Sequence, residues 1–179
     1  MPTKMNIGTS HCFPLNGDPN FPLIHSIEGI RQEYRKQLPN IQLSGPTYFS
    51  EIIKQFNTYA TGNAAAQTYQ VLLILTDGEI HDMSQVKKLI VESSSLPTSI
   101  IIVGVGNEAF EMMEELDSDE ALLRDDNGRA AKRDIVQFVR FRESMARGNL
   151  AEEVLKEIPE QVCLYMEGIG FKPTKVQAD

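Results

Sequence analysis

Two runs of residues that are apolar at every position constrain this chain more than any other feature. "VLLILTDGEI", residues 71–80, begins with five consecutive Val, Leu and Ile residues and then passes into Thr76, Asp77 and Gly78. "TSIIIVGVG", residues 98–106, is the second run. A strand that is apolar on both alternating faces needs cover on both faces, which is the pattern of a parallel sheet between helical layers. The segment between the runs carries Met83, Val86, Leu89 and Ile90 at helical spacing, and "DIVQFVRF", residues 134–141, reads as a third, shorter strand. Strands alternating with helices imply right-handed crossovers. The fold class is therefore α/β, a doubly wound and mainly parallel sheet with helices on both faces.

The flanks are less regular. Residues 1–25 hold Pro14, Gly17, Pro19 and Pro22 and read as irregular chain, with one short strand near His11–Phe13 and disorder over residues 1–9. Ile27, Ile30, Tyr34 and Leu38 then mark a helix ending at Pro39, and a second helix with Phe49, Ile52, Ile53 and Phe56 follows "GPT". Asn107 is placed to cap a helix bearing Phe110 and Met113. The last helix begins near Asn149, with Leu150, Val154, Leu155 and Ile158, and continues past Pro159 through Val162 and Tyr165. Between the last two strands, "DSDEALLRDDNGRAAKRD" makes an excursion or hairpin turning at Asp126-Asn127-Gly128.

The 179 residues suit a single domain, and 41% hydrophobic content suffices for a core. A net charge of -8 repels nucleic acid and anionic headgroups and favours cations or basic partner surfaces. Cys12 and Cys163 form no disulfide framework, the start has no apolar signal segment, and no run is long enough to span a bilayer. These features read as cytoplasmic.

Ligands of such sheets bind at the carboxyl ends of the strands, where Asp77 falls. A carboxylate there can be a metal ligand, a general base or the cap of its own turn. Thr47, in "SGPT" before a helix, offers a hydroxyl in a similar loop, and such oxygen donors suit Mg²⁺, Ca²⁺ or Mn²⁺ rather than zinc. Asp82 is read as the cap of the helix after it, with His81 and Asp82 at the rim of the loop. Gly104-x-Gly106 lacks the third glycine of a dinucleotide fingerprint and reads as a tight strand-to-helix turn. His11 and Cys12 lack the spaced partners of a zinc site. Residues 108–120 are acidic and 124–147 mostly basic, which gives either two solvated faces or a bipolar surface for a charged partner or acidic lipid.

Several segments together resemble a known family. "QLSGPTYFSEII", "VLLILTDGEIHDM", "LPTSIIIVGVGNEAFEMMEELDSDEALL" and "RDIVQFVRFRE" are similar, in order and spacing, to the C-terminal half of copines, a von Willebrand factor A domain. "SHCFPLNGDPN" and "IEGIRQEYRKQLPNIQL" extend the likeness from about Ser10 to Lys175. The resemblance implies a metal-ion-dependent adhesion site, in which Thr47 matches the second loop and Asp77 the third. Ser44, Gly45, Gly78, Glu79, His81 and Asp82 would form its partner-binding loops. The family's Asp-x-Ser-x-Ser motif does not occur before Thr47, so the chain reads as a partial A domain over 1–179, lacking the first strand-helix-strand portion. Its expected function is docking of protein partners at the sheet's carboxyl edge, with a divalent cation left short of ligands. A homo-oligomer through the strand edge bared by the missing neighbour is also expected. The alternatives are a metal-assisted hydrolase using Asp77 and Asp82, or a peripheral phospholipid-binding protein as the copine context implies.

Overall fold

The computed structural model describes residues 9–63, 68–118 and 121–172. The expected disorder of residues 1–9 therefore falls almost wholly outside the described residues. In chain order the elements are α1 (Ser26–Gln37), a 3-10 turn (Leu38–Asn40), α2 (Ser50–Asn63), β1 (Gln70–Thr76), α3 (Met83–Ser93), β2 (Thr98–Gly104), α4 (Glu111–Asp117), β3 (Val136–Arg140), α5 (Phe141–Arg147), α6 (Leu150–Leu155) and α7 (Ile158–Gly168). The three strands form one parallel sheet in the order β1-β2-β3. The doubly wound α/β expectation is met.

The faces follow from the period of two along each strand. Leu72 and Ile74 of β1, Ile100 and Ile102 of β2, and Val136 and Phe138 of β3 point to one side. There they share a core with Ile53 and Phe56 of α2, Val86, Leu89 and Ile90 of α3, and Met113 and Leu116 of α4. Asn57 ties α2 to α3, donating from Nδ2 to the Leu89 carbonyl (3.3 Å) and accepting at Oδ1 from the Ser93 hydroxyl (2.7 Å). On the opposite face α7 lies against β2, where the Ser99 hydroxyl donates to Gln161 Oε1 at 2.5 Å. Every residue of β2 is buried.

β1 is different. It pairs with β2 alone among the described strands, and its outer-face residues Val71, Leu73 and Leu75 are 47%, 55% and 67% exposed. Nor is α1 packed, for it has no buried residue and its apolar stripe faces solvent.

Several local expectations need correction. No strand forms at His11–Phe13, because no neighbour offers that segment a ladder among the described residues. Asn107 does not cap α4; its Oδ1 accepts from Arg142, while Phe110 takes the N-cap position at φ 59°. The apolar run 134–141 yields a strand only over Val136–Arg140, and Phe141 opens α5, a helix that hydrophobic spacing alone did not signal. The last helix is split into α6 and α7, with Pro159 in the first turn of α7, where a missing N–H is harmless. The excursion does turn where expected. Arg124 and Ala130 form an antiparallel bridge, and Gly128 adopts φ 79°.

One buried cation staples the amino ends of the strands to α7. Arg133 donates from Nη2 to the carbonyls of Leu96 (2.6 Å) and Thr98 (2.7 Å), and from Nη1 to the Gln161 carbonyl (3.3 Å) and the Tyr69 hydroxyl (3.1 Å). Its guanidinium also lies 5.8 Å and 5.4 Å from the ring centroids of Tyr69 and Tyr165. Arg133→Met removes the donors of buried carbonyls, and urea denaturation should read a loss of about 2–4 kcal/mol.

The turn of the excursion is held by a carboxylate. Burial alone would raise the pKa of Asp125, but the amides of Arg129 and Asn127 and the Arg129 guanidinium outweigh it and hold the carboxyl below its usual range. A depressed folded pKa contributes stability that is complete above the unfolded value and lost as pH falls through the folded one. In an NMR pH titration, the Asn127 and Arg129 amide signals should hold position through the ordinary carboxylate range and move only below it.

Candidate functional site at the carboxyl edge

Parallel register brings the ends of all three strands to one edge, with Thr76 opposite Gly104 and Gly104 opposite Arg140. The Thr76 carbonyl accepts from the Val105 amide at 2.7 Å, so the first two strands leave the sheet together. The Thr76 hydroxyl then accepts from the Gly78 amide at 3.1 Å and bends the chain. Asp77 is left exposed at the bend, and its carboxylate has no hydrogen bond or ion pair among the described residues.

The floor of this bend is Phe110, a residue that sequence spacing assigned only to a helix face. Its buried ring lies under both Gly78 and Gly104. A Cβ on Gly104 would stand 2.7 Å from Phe110 Cε1, and one on Gly78 would stand 3.0 Å from Cδ1. Gly78 also has φ 112°, a conformation that favours glycine. The glycines at two strand ends were the sequence signal for a ring between them. Arg140, at the end of β3, stacks 5.4 Å from the Phe110 centroid and ion-pairs with Glu114 at 2.6 Å.

The threonine loop is bound to the aspartate loop by four hydrogen bonds. The His81 amide donates to the Thr47 carbonyl (2.9 Å), and the Thr47 amide donates to His81 Nδ1 (3.1 Å). Asp82 accepts from the Phe49 amide at Oδ1 (3.1 Å) and from the Ser50 amide at Oδ2 (2.9 Å). This corrects the role expected of Asp82. It makes no side-chain cap on its own helix α3 and instead caps α2, the helix behind Thr47. Each of its oxygens accepts one backbone amide, which commits the side chain to joining the two loops.

Two further residues of the edge were not foreseen together. The His11 ring lies 4.5 Å from the Tyr48 ring, which brings the first described segment against the threonine loop. Ser44 is exposed, with its hydroxyl donating to the Gly45 carbonyl at 3.3 Å, and Gly45 precedes Pro46 through a cis peptide bond. Glu79 is exposed beside Asp77. The Thr47 hydroxyl, like the Asp77 carboxylate, has no hydrogen-bond partner among the described residues.

As cation donors, Thr47 and Asp77 fit in kind, because hydroxyl and carboxylate oxygens suit a hard divalent ion. They fall short in number. No group of three His, Cys, Asp or Glu side chains converges among the described residues. Any ion here must take most of its ligands from water and from a docking partner. The acidic segment 108–120 and the basic segment 124–147, expected to form two solvated faces or a bipolar surface, are joined by the ion pair of Arg140 with Glu114, and other cations of the basic segment pair elsewhere. Arg140 pairs with Glu114, Arg147 with Glu143 and Glu153, and Arg129 with Asp125 and Glu92.

Asp82→Ala should leave two α2 amides without their acceptor and cost about 1–2 kcal/mol in thermal or urea unfolding. The same substitution should speed amide exchange at Phe49 and Ser50, because it removes two of the four hydrogen bonds between the threonine and aspartate loops.

Comparison with known proteins agrees with this architecture. The chain is 46% identical over 168 residues to Copine-C of Dictyostelium discoideum, covering 92% of this chain and 31% of that protein. It is also 46% identical over 180 positions to Nicotinic receptor-associated protein 1 of Caenorhabditis elegans, covering 93% of this chain and 28% of that one. The chain thus spans less than a third of each relative's length. The copine family model matches residues 2–174, and on that match the chain belongs to the copine family.

Proposed function

We propose that this chain is a protein-interaction module that docks partners at the carboxyl edge of its sheet, through a remnant divalent-cation site at Thr47 and Asp77. The observation that carries the reading is the pairing of the two loops. Four hydrogen bonds through His81 and Asp82 fix the threonine loop to the aspartate loop, yet leave the Thr47 hydroxyl and the Asp77 carboxylate free. A rigid edge with unspent oxygen donors suits recognition, because little conformational entropy is lost on docking. A cation bound there would bridge Asp77 to an acidic residue of the partner, which would supply a ligand that this chain lacks. Ser44, Gly45, Gly78 and Glu79 shape the rim of that surface. The name of the nematode relative, a receptor-associated protein, also describes association with another protein.

The chemistry sets the expected strength. With two protein donors, affinity for Mg²⁺, Mn²⁺ or Ca²⁺ should be weak, roughly millimolar. Calorimetric titration of the ion alone should show weak binding that disappears in Asp77→Ala and falls in Thr47→Val. Since Asp77 is exposed and unpaired, the melting temperature of Asp77→Ala should match the parent within error. Cation binding that survives Asp77→Ala, or no binding at all, overturns the assignment of this ion site.

A further inference from the structure

We infer that α5 and α6 form a lid on the carboxyl end of β3, held there by charge, and that it opens ahead of the rest of the fold when salt screens that charge. A surface helix ordinarily docks by burying an apolar stripe against the core. This pair does not. Ser144 is the one buried residue of α5, and α6 has none. No side chain of either helix belongs to the apolar core or to the partly buried hydrophobic residues packed against it. Leu150 and Val154 are half-buried, while Phe141, Met145 and Leu155 are exposed.

What ties the lid down is a chain of alternating charges across four elements. Glu114 of α4 pairs with Arg140 of β3 at 2.6 Å, and Arg140 lies 3.8 Å from Glu143 of α5. Glu143 pairs with Arg147 at 3.1 Å, and Arg147 with Glu153 of α6 at 2.7 Å. Glu153 is the hub, for it also accepts from the Asn149 side chain at 2.9 Å and from the buried Ser144 hydroxyl. All five charged residues line one open cavity of about 640 Å³, together with Phe138 and Val139, so dissolved ions reach the pairs. Exposed pairs are individually weak, and the Debye length falls from about 10 Å at 0.1 M salt to about 3 Å at 1 M. Such ties decide the outcome only where nothing stronger backs them. Lys87 pairs with Glu115 across α3 and α4, but those helices also put Val86, Leu89, Met113 and Leu116 into the core. Screening that pair leaves them docked. The lid has no such anchor, and both of its ends can hinge. β3 passes directly into α5 between Arg140 and Phe141, and α7 starts afresh at Ile158, with Pro159 in its first turn. Opening bares the end of β3, at the same sheet edge as Asp77, while the core stays intact.

The test is residue-resolved hydrogen exchange of the purified 179-residue chain in dilute and in molar sodium chloride, corrected for intrinsic exchange rates. The hydrogen-bonded amides of the lid, including those of Gly148, Asn149 and Glu153, should exchange about tenfold faster in molar salt. Those of α3 and β2 should scarcely change. Glu153→Gln keeps the shape of the hub but removes the charge facing Arg147. In dilute salt its lid should exchange about as fast as the parent's does in molar salt, with a cooperative thermal melt retained. Arg147→Met, at an exposed side chain in the middle of the chain of charges, should give the same result, and it keeps the test decisive if Glu153→Gln fails to fold. Lid amides that exchange no faster than those of β2 overturn the proposal. So do lid amides indifferent to salt, or a salt response that Arg147→Met leaves intact. No divalent cation or partner enters the measurement, so this proposal and the docking function fail separately.

Discussion

The structure depends on β2 serving as a fully buried ladder between two partners. All seven of its residues are buried, it pairs in parallel with β1 on one side and β3 on the other, and core helices contact its two faces. Parallel pairing to one central strand fixes direction as well as position. The carboxyl ends of all three strands must therefore emerge at the same edge. Only then can Phe110 reach both Gly78, just past β1, and Gly104, which ends β2, and only then does Arg140 stack on Phe110. Phe110 itself, at φ 59°, holds a backbone conformation unfavourable for a side chain of its size, sustained by the packing around it.

Above that floor, charge is used to set geometry. Asp82 could have capped its own helix, as an aspartate before Met83 commonly does. It spends both oxygens on α2 instead, two elements earlier in sequence. The carboxylate satisfies orphan amides and sits at the positive end of the α2 dipole, so its desolvation is offset where it lies. The consequence is a division of labour between neighbouring acids. Asp82 is committed to structure, while Asp77, five residues earlier, is exposed and unpaired among the described residues. A site whose rigidity comes from one carboxylate can leave another open to a ligand.

The sequence made some features legible and others not, for physical reasons. Runs such as 71–75 and 100–103 announce strands because β-branched and aliphatic residues at every position need cover on both faces. The Asp-Asn-Gly turn announces itself because Gly128 takes a positive φ. Thr47 and Asp77 were legible as loop residues at strand and helix boundaries, and the match to a known motif assigned them roles. The use of Asp82 was not legible, since capping in trans depends on loops 33 residues apart meeting in space. Phe110 was misread for a similar reason. Its helical spacing with Met113 is real, but its conformation is set by two glycines in other segments. Helix α5 was hidden because Phe141 extends an apolar run whose hydrogen bonding changes at Arg140.

β1 leaves the last structural conflict. Its sequence is apolar on both faces, yet its environment is apolar on one. Leu72 and Ile74 pack on the core, while Val71, Leu73 and Leu75 remain about half exposed or more. Fully burying such a side chain is worth about 1.5–3 kcal/mol, so covering three half-exposed ones would add several kcal/mol. That is comparable to much of the net stability of a domain this size, which is about 5–15 kcal/mol. Solvent alone gives no reason for this composition, because polar residues on the outer positions would keep the strand and remove the cost. A strand that is symmetric in sequence but covered on one side is suited to a neighbour. The edge left unpaired among the described residues, and the bare outer face beside it, set what that neighbour must supply: extended backbone to complete the ladder, and apolar side chains to close the sheet.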